Sequence, residues 1–127
     1  MDIQITPRRL SGTVTPPPSK SIAHRLLIAA ALGGGASTVR NVTFSQDIEA
    51  TLRCMEALGA RWERPAEDCV RLTGVGGAPR TFAELPRFDC GESGSTLRFL
   101  IPIALAVAGG GVFTGRGRLM ERPQKPY

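Results

Sequence analysis

The sequence is poor in the residues that build metal sites. Its 127 residues include three cysteines and a single histidine, His24. The cysteines, Cys54, Cys69 and Cys90, are widely separated, and no Cys-x-x-Cys pair occurs. Because a structural zinc site takes four Cys or His ligands at characteristic spacings, the sequence argues against a metal centre. It predicts three reduced thiols instead, as is typical of a cytoplasmic protein.

Aromatic residues are also scarce, at 6% of the chain. Proteins that bind single-stranded nucleic acid usually place aromatic stacking faces beside a positive groove. The formal net charge is +5, but Lys and Arg form no continuous run, and the excess lies in residues 1–40 and 81–127. Because such charge attracts anions, we expect small phosphorylated or carboxylated molecules as partners, and no nucleic acid.

Long apolar runs are absent as well. A membrane-spanning helix requires about 20 apolar residues, whereas the longest candidate here, residues 99–108, is interrupted by Pro102. The N-terminus has neither the basic start nor the apolar stretch of a signal peptide. We therefore expect a soluble, cytoplasmic protein with no membrane partner.

The order of local patterns predicts a mixed α/β (α+β) fold. Strands are predicted over residues 2–6, 37–42, 60–64, 69–75, 88–90 and 112–114, and helices over 19–32, 45–58 and 95–108. No closing element follows the basic segment near the C-terminus, so we expect a truncated polypeptide. Pro102 lies inside the third helix and should kink it or shift its start.

Apolar residues recur at helical spacing in the first two helices. The residues expected to face the core from the first helix are Ile22, Leu26 and Ala29 or Ala30. Those expected from the second helix are Ile48, Leu52, Met55 and Leu58.

The first candidate binding motif is the segment Pro-Ser-Lys-Ser-Ile-Ala-His-Arg at 18–25. A helix that begins here directs free backbone N–H groups and the positive end of its dipole toward the preceding loop. Ser21 and Arg25 share one face, and Lys20 lies at the mouth. A hydroxyl, a guanidinium and an ammonium at this position suit a phosphate or a carboxylate. A capped helix with solvated basic residues explains this motif equally well.

The second motif is Asp-Cys-Gly-Glu-Ser-Gly-Ser-Thr-Leu-Arg at 89–98. Its glycines allow close backbone approach, its hydroxyls can donate hydrogen bonds, and Arg98 lies one turn into the helix. It is neither a Walker A loop nor a Gly-x-Ser-x-Gly elbow. Because His24 is the only imidazole, a Ser-His-Asp triad is disfavoured. A simple turn at a helix start is the alternative.

The third motif, Gly115–Pro123, places three arginines within seven residues. Taken alone it is compatible with a solvated basic loop. Three basic motifs framed by Gly or Pro in one short chain favour a composite anion site, and we expect them to converge in space.

In this order and at these separations, the three motifs resemble the N-terminal part of the EPSP synthase (3-phosphoshikimate 1-carboxyvinyltransferase) family. The strongest marks are Pro-Ser-Lys-Ser-x-x-x-Arg at 18–25, Gly-x-Ser-Gly-Ser-Thr-x-Arg at 91–98 and Arg-x-x-Glu-Arg-Pro at 118–123. The resemblance implies transfer of the enolpyruvyl group of phosphoenolpyruvate to the 5-hydroxyl of shikimate 3-phosphate. The reaction passes through a tetrahedral intermediate, releases phosphate and leads toward the aromatic amino acids, without a metal or other cofactor.

The resemblance also implies a fold of repeated βαβαββ units in two domains that close over a cleft. The chain would hold one complete unit, to about residue 80, and about half of a second, over 85–127. Residues 1–15, an N-terminal strand and Pro-rich linker, pack with the C-terminal domain in the family. Residues 16–127 would then be an incomplete N-terminal domain of an enzyme that we expect to be monomeric at full length.

Carried over position by position, the resemblance gives substrate-binding roles to five residues. Lys20 would contact phosphoenolpyruvate, and Ser21 and Arg25 would hold shikimate 3-phosphate. Gly94, the family position tied to discrimination against glyphosate, would leave room for phosphoenolpyruvate, and Arg122 would grip its charge. Supporting roles fall to Ser93, Ser95, Thr96, Arg98 and Arg118. No catalytic residue is assigned, because the family's acid/base carboxylates lie beyond Tyr127, and we expect the chain to be inactive alone.

The sequence departs from the family pattern at two positions. Glu92 stands where many members have Asn, which puts an acid near an anionic ligand, and Phe99 replaces a frequent Pro. A related enzyme, the enolpyruvyl transferase acting on UDP-N-acetylglucosamine, is the second hypothesis. It typically has Asn after its N-terminal Lys and a cysteine in the region corresponding to 115–122, whereas this chain has Ser21 and no cysteine there. A non-enzymatic module that binds anions or nucleic acid is the third.

Overall fold

Helices and strands alternate along the chain, as the sequence predicts for a mixed α/β fold. The computed structural model describes residues 2–124. The helices are α1 (Lys20–Leu32), α2 (Gln46–Ala57) and α3 (Gly94–Ala108), with a short 3₁₀ helix at Gly117–Leu119. The strands are β1 (Ala36–Arg40), β2 (Arg61–Ala66), β3 (Cys69–Thr73), β4 (Arg87–Asp89) and β5 (Val112–Thr114).

The strands form two sheets. The first is antiparallel with the order β1-β3-β2, in which β2 and β3 form a hairpin. The register of this hairpin shifts between Glu63 and Ala66, where Pro65 has no amide hydrogen to donate. The second sheet is the parallel pair β4-β5, and α3 makes the crossover between its strands.

The core lies between the three helices and the two sheets. All four residues predicted to face it from α2 are buried, so that prediction is confirmed: Ile48, Leu52, Met55 and Leu58. The Phe88 and Phe113 rings of the parallel pair stack with their centroids 4.8 Å apart. Phe88 is fully buried and belongs to the same core cluster as residues of α1, α2 and β3, so it joins the second sheet to the rest of the core.

The predicted core face of α1 was wrong at Ile22 and Leu26, whereas Ala30, one of the two alanines predicted with them, is partly buried against the core. Ile22 and Leu26 are 58% and 50% exposed, and the buried face begins one residue later. Its members are Ala23, His24, Leu27, Ile28 and Ala31. Because α1 is apolar on most of its circumference, apolar spacing did not identify the face that the sheet covers.

The strand predicted over residues 2–6 is absent. Residues 2–19 contain no strand or helix, and Ile3, Ile5, Leu10 and Val14 are all more than 70% exposed. A strand is stable only when its backbone pairs with a neighbour. No described strand pairs with this segment. The first described helix or strand is therefore α1, and the domain division at residue 15 stays a prediction.

Helix α3 begins at Gly94, close to the predicted start, although Pro102 lies inside it. The alternative that Pro102 shifts the start of the helix was therefore wrong. Pro102 is on the exposed face, where the missing amide hydrogen is best tolerated because water solvates the backbone. Gly109 ends the helix in the left-handed conformation, with φ +70°.

Candidate anion-binding site

The N-terminal ends of the three helices lie together. Lys20, the first residue of α1, donates from Nζ to Asp47 Oδ2 of α2 at 2.7 Å. Thr96 Oγ1, in the first turn of α3, lies 3.4 Å from the backbone carbonyl oxygen of Asp47. Because each helix carries positive partial charge and unpaired N–H groups at this end, the arrangement favours a bound anion.

The first motif forms the start of α1 as predicted. Ser19 caps the helix by accepting a hydrogen bond from the Ile22 amide at 3.4 Å. Arg25 donates from Nη1 to the Ser21 carbonyl at 2.8 Å, and its Cζ lies 5.0 Å from the centre of the Phe99 ring on α3. The Arg25 side chain thus reaches from α1 toward α3, while Lys20, Ser21 and Arg25 all stay exposed to solvent.

The second motif turns the chain from β4 into α3. Gly91 has a φ of +56°, and its amide donates to Asp89 Oδ1 at 3.0 Å. Ser93 caps α3, since its Oγ accepts from the Thr96 amide at 3.2 Å and from Thr96 Oγ1 at 2.7 Å. Ser93 and Thr96 are buried, Arg98 is half-buried, and Ser95 is exposed beside the cap. Of the supporting residues in this motif, only Ser95 therefore presents a fully accessible side chain.

The third motif packs against the second. Arg122 lies over Gly94 so closely that a Cβ on Gly94 would be 2.8 Å from Arg122 Nη1. The Arg116 amide donates to the Gly91 carbonyl at 2.8 Å, and the Glu92 carboxylate lies against the Cα of Gly117. Arg118 is exposed nearby on the short 3₁₀ helix.

All three motifs therefore meet at one end of the molecule, as the sequence predicts. Lys20 and Arg25 reach the site from α1, Gly94 begins α3, and Arg122 approaches from the third motif. What each residue binds stays a prediction, because these contacts are within the protein.

Sequence analysis missed the residue that links the motifs, Thr51 of α2. Its Oγ1 lies 2.8 Å from His24 Nδ1 and 2.8 Å from Thr96 Oγ1. His24, Thr51, Thr96 and Ser93, all at least 98% buried, form what we call the buried polar network. The only signal in the sequence was that Thr51 lies next to the apolar stripe of α2. Because many helices carry a threonine in such a position, this signal does not single out Thr51.

Burial lowers the pKa of His24 below its ordinary value of 6.5. Asp47 opposes that shift, whereas Lys20 and Arg25 add to it. Histidine buried among apolar side chains is held neutral because the charged form loses its hydration. His24 therefore contributes a hydrogen-bonding ring to the network and no positive charge to the site.

The described residues contain no cluster of three or more His, Cys, Asp or Glu that could hold a metal ion. The three cysteines are buried and form no disulfide bond. A hydrogen bond with Cys90, together with burial, raises the pKa of the Cys54 thiol, which therefore does not have the lowered pKa of a reactive nucleophile. Within residues 2–124, no helix has the length and apolar character needed to cross a membrane.

Several known proteins similar to this chain share the description 3-phosphoshikimate 1-carboxyvinyltransferase. The 3-phosphoshikimate 1-carboxyvinyltransferase of Clostridium novyi (strain NT) is 44% identical over 131 residues, which cover 99% of this chain and 30% of that protein. The protein of the same name from Clostridium beijerinckii is 46% identical over 130 residues, again 99% of this chain and 30% of its own length. The chain thus spans about 30% of the length of these curated relatives.

Solved structures give the same result. The EPSP synthase from Acinetobacter baumannii superposes with a TM-score of 0.75 at 30% sequence identity, over 90% of this chain and 26% of that one. A model of the family described as EPSP synthase (3-phosphoshikimate 1-carboxyvinyltransferase) matches residues 5–127. With the fold, the three motifs and nearly the whole sequence in agreement, the chain belongs to the EPSP synthase family.

Proposed function

We propose that this chain forms the N-terminal wall of a site that transfers the enolpyruvyl group of phosphoenolpyruvate to the 5-hydroxyl of shikimate 3-phosphate. The observation that carries the proposal is the convergence of three helix N-termini with Lys20, Arg25 and Arg122 around them. Two anionic substrates repel each other, so bringing them together requires positive charge on the protein. Holding both in one orientation then lowers the entropic part of the barrier.

Shikimate 3-phosphate binds, in this proposal, to Ser21 and Arg25. The Ser21 carbonyl accepts only one of the five guanidinium N–H groups, and the ring of Phe99 supports the face of the guanidinium. The remaining N–H groups of Arg25 and the exposed Ser21 hydroxyl can donate to a phosphate. The acceptor substrate would therefore lie along the exposed face of the first turn of α1.

Phosphoenolpyruvate binds beside it, to Lys20, the Gly94 backbone and Arg122. Asp47 holds one of the three Nζ hydrogens of Lys20 and leaves two for a ligand. Gly94 has no side chain between the α3 backbone and the Arg122 guanidinium. An anion at this place would meet the N-terminal N–H groups of α3 and both cations.

This wall positions substrates, and we propose no proton-transfer residue in it. We expect the chain alone to bind without turnover. We further propose that the domain boundary lies at residue 15 and that the full-length enzyme is monomeric and binds no nucleic acid. A cytoplasmic location is supported by the three cysteines, which form no disulfide.

The proposal can be tested by titrating the ¹⁵N-labelled chain with shikimate 3-phosphate, phosphoenolpyruvate and a single-stranded oligonucleotide. We expect amide shifts confined to residues 19–25, 91–98 and 115–122 with the two substrates. Tight oligonucleotide binding with a steep salt dependence would favour the non-enzymatic alternative instead. Binding of UDP-N-acetylglucosamine in place of shikimate 3-phosphate would favour the related transferase.

Turnover is tested in a chimera that joins the chain to the part of the Clostridioides difficile relative beyond the matched region; the two are 46% identical where they match. We expect phosphate release from the two substrates by the chimera and none by the chain. Measurable turnover by the chain alone would refute the expected inactivity.

A further inference from the structure

The buried polar network joins two of the motifs through a helix that neither contains. His24 belongs to the first motif and Ser93 and Thr96 to the second, whereas Thr51 lies in the middle of α2. The separations along it are 2.8 Å from His24 Nδ1 to Thr51 Oγ1, 2.8 Å on to Thr96 Oγ1 and 2.7 Å on to Ser93 Oγ. Four buried polar groups in an apolar core are costly unless their hydrogen bonds are complete, so their geometry is restrictive.

The direction of these hydrogen bonds follows from His24. Its Nε2 is buried and has no hydrogen-bond partner among residues 2–124. A buried N–H donor without an acceptor costs more than a lone pair left unfilled, so the ring hydrogen belongs on Nδ1. Nδ1–H then donates to Thr51, whose hydroxyl can donate on to Thr96, and Thr96 donates to the Ser93 cap.

We propose that His24 is a positioning residue of the anion site: through Thr51 and Thr96, its Nδ1–H fixes the first turn of α3 relative to the first turn of α1. This inference rests on the proposed function, because that site lies between these two turns. His24 touches no substrate in this arrangement. It sets the separation of Lys20 and Arg25 from the Gly94 backbone, and a misplacement of about 1 Å can weaken a preorganised site by up to a hundredfold.

Two substitutions of His24 separate positioning from packing. His24→Asn keeps an N–H donor at the place of Nδ1 and removes the unpartnered Nε2, so we expect anion affinity near that of the wild type. His24→Leu keeps much of the volume but has no donor, and we expect phosphoenolpyruvate and shikimate 3-phosphate to bind on the order of tenfold more weakly. Thr51→Val should cause a similar loss of affinity. Combining it with His24→Leu should add little, because both substitutions remove the same hydrogen bond between His24 and Thr51.

The binding measurements use NMR titration of the full chain, and thermal melts record the stability of each variant. Val70→Ala, a core substitution in β3, supplies a destabilised control that leaves the network intact. We expect Val70→Ala to lower the melting temperature without changing anion affinity. Equal affinity of His24→Leu and wild type, or the same loss in Val70→Ala, would overturn the positioning role while leaving the proposed function standing.

The ¹⁵N shifts of the imidazole provide a readout that does not depend on ligand binding. We expect a protonated Nδ1 and an unprotonated Nε2 at neutral pH, and a protonated Nε2 would overturn the inference. If the wild-type chain binds neither substrate, the proposed function fails, and the positioning role fails with it even when the tautomer is as expected.

Discussion

Lys20 is held in place by an ion pair with Asp47. Its Nζ lies 2.7 Å from Asp47 Oδ2, and both side chains remain partly exposed. Exposed pairs of this kind contribute about 0–1 kcal/mol to folding because water screens them and two side chains lose freedom. The pair therefore acts mainly to orient the Lys20 ammonium group. An experiment can separate this orienting effect from the small contribution of the pair to folding stability.

Lys20→Ala should weaken phosphoenolpyruvate binding at least tenfold while lowering the free energy of unfolding by less than about 1 kcal/mol. The measurement combines substrate titration of the chain, or steady-state kinetics of the chimera, with thermal melts. Arg71→Ala is the matched control, because Arg71 forms an exposed 2.8 Å pair with Glu63 on the hairpin, away from the site. Unchanged kinetics in Lys20→Ala would count against the role of Lys20.

Gly94→Ala should also affect binding more than folding. A Cβ there would press on Arg122 Nη1, the far end of a flexible side chain, which can move away. Because the added methyl also fills the space proposed for phosphoenolpyruvate, we expect weaker binding of that substrate and little change for shikimate 3-phosphate. Gly34→Ala, where a Cβ meets no atom within 4 Å, is the control. If the two substitutions alter phosphoenolpyruvate affinity equally, Gly94 has no special role.

At the scale of the elements, α1, α2 and α3 are joined by polar contacts near their N-termini and by apolar packing beyond. Each helix is capped by a serine side chain at its first turn: Ser19, Ser45 and Ser93. Capping fixes where each helix starts, and the His24–Thr51 contact fixes how α1 lies on α2. That contact contains the one histidine of the chain, so we expect the docking of the helices to depend on pH.

Acid should destabilise the protein through His24. Burial lowers its pKa below 6.5, so the unfolded chain takes up the proton more readily than the folded one. The stability that depends on neutral His24 is fully present above about pH 6.5 and is lost as the pH falls through the folded value. We expect melts between about pH 5 and 7 to show this loss, by at most about 1.4 kcal/mol per pH unit.

His24→Asn is the control for this pH dependence, because asparagine does not titrate. Its stability should change less than that of the wild type over the same interval, and parallel curves would show that other groups are responsible. Asp47 raises the pKa of His24 while Lys20 and Arg25 lower it. Asp47→Asn should therefore lower the pKa of folded His24 further. The loss of stability then becomes larger and extends to lower pH, while its onset near about pH 6.5, which the unfolded chain sets, does not move.

At the scale of the whole molecule, the folded part begins at α1. Residues 2–14 make no strand, and their large apolar side chains face solvent. Burial of such side chains is the main source of stability, so this segment contributes almost none. The core is made instead by the three helices and the two sheets.

Removing residues 2–14 should therefore change the free energy of unfolding by less than about 0.5 kcal/mol. Leu27→Ala, which truncates a fully buried side chain of α1, should cost about 2–5 kcal/mol and serves as the contrast. Denaturant titrations of both variants give the comparison. A loss above about 1 kcal/mol on deletion would mean that the segment packs on the core.

The local signals in the sequence were sufficient to predict where the helices begin and end and where the three motifs lie along the chain. Serine caps, the glycine stops and the stripe of α2 predicted the helix positions within one or two residues. Strand β2 was predicted over residues 60–64 and runs from Arg61 to Ala66, two residues beyond its predicted end, and β3 begins at Cys69 as predicted. The same signals failed for residues 2–6, since alternation cannot reveal whether a partner strand exists.

What the sequence determined by itself is therefore the set of side chains and their order: basic residues and glycines at helix starts, arranged as in the EPSP synthase family. Tertiary structure alone decided which face of α1 is buried, that Arg122 lies on Gly94, and that Thr51 links His24 to Thr96. The reason is physical. Caps and turns depend on neighbours within a few residues, whereas these contacts join residues 27 to 45 positions apart and exist only once the helices have packed.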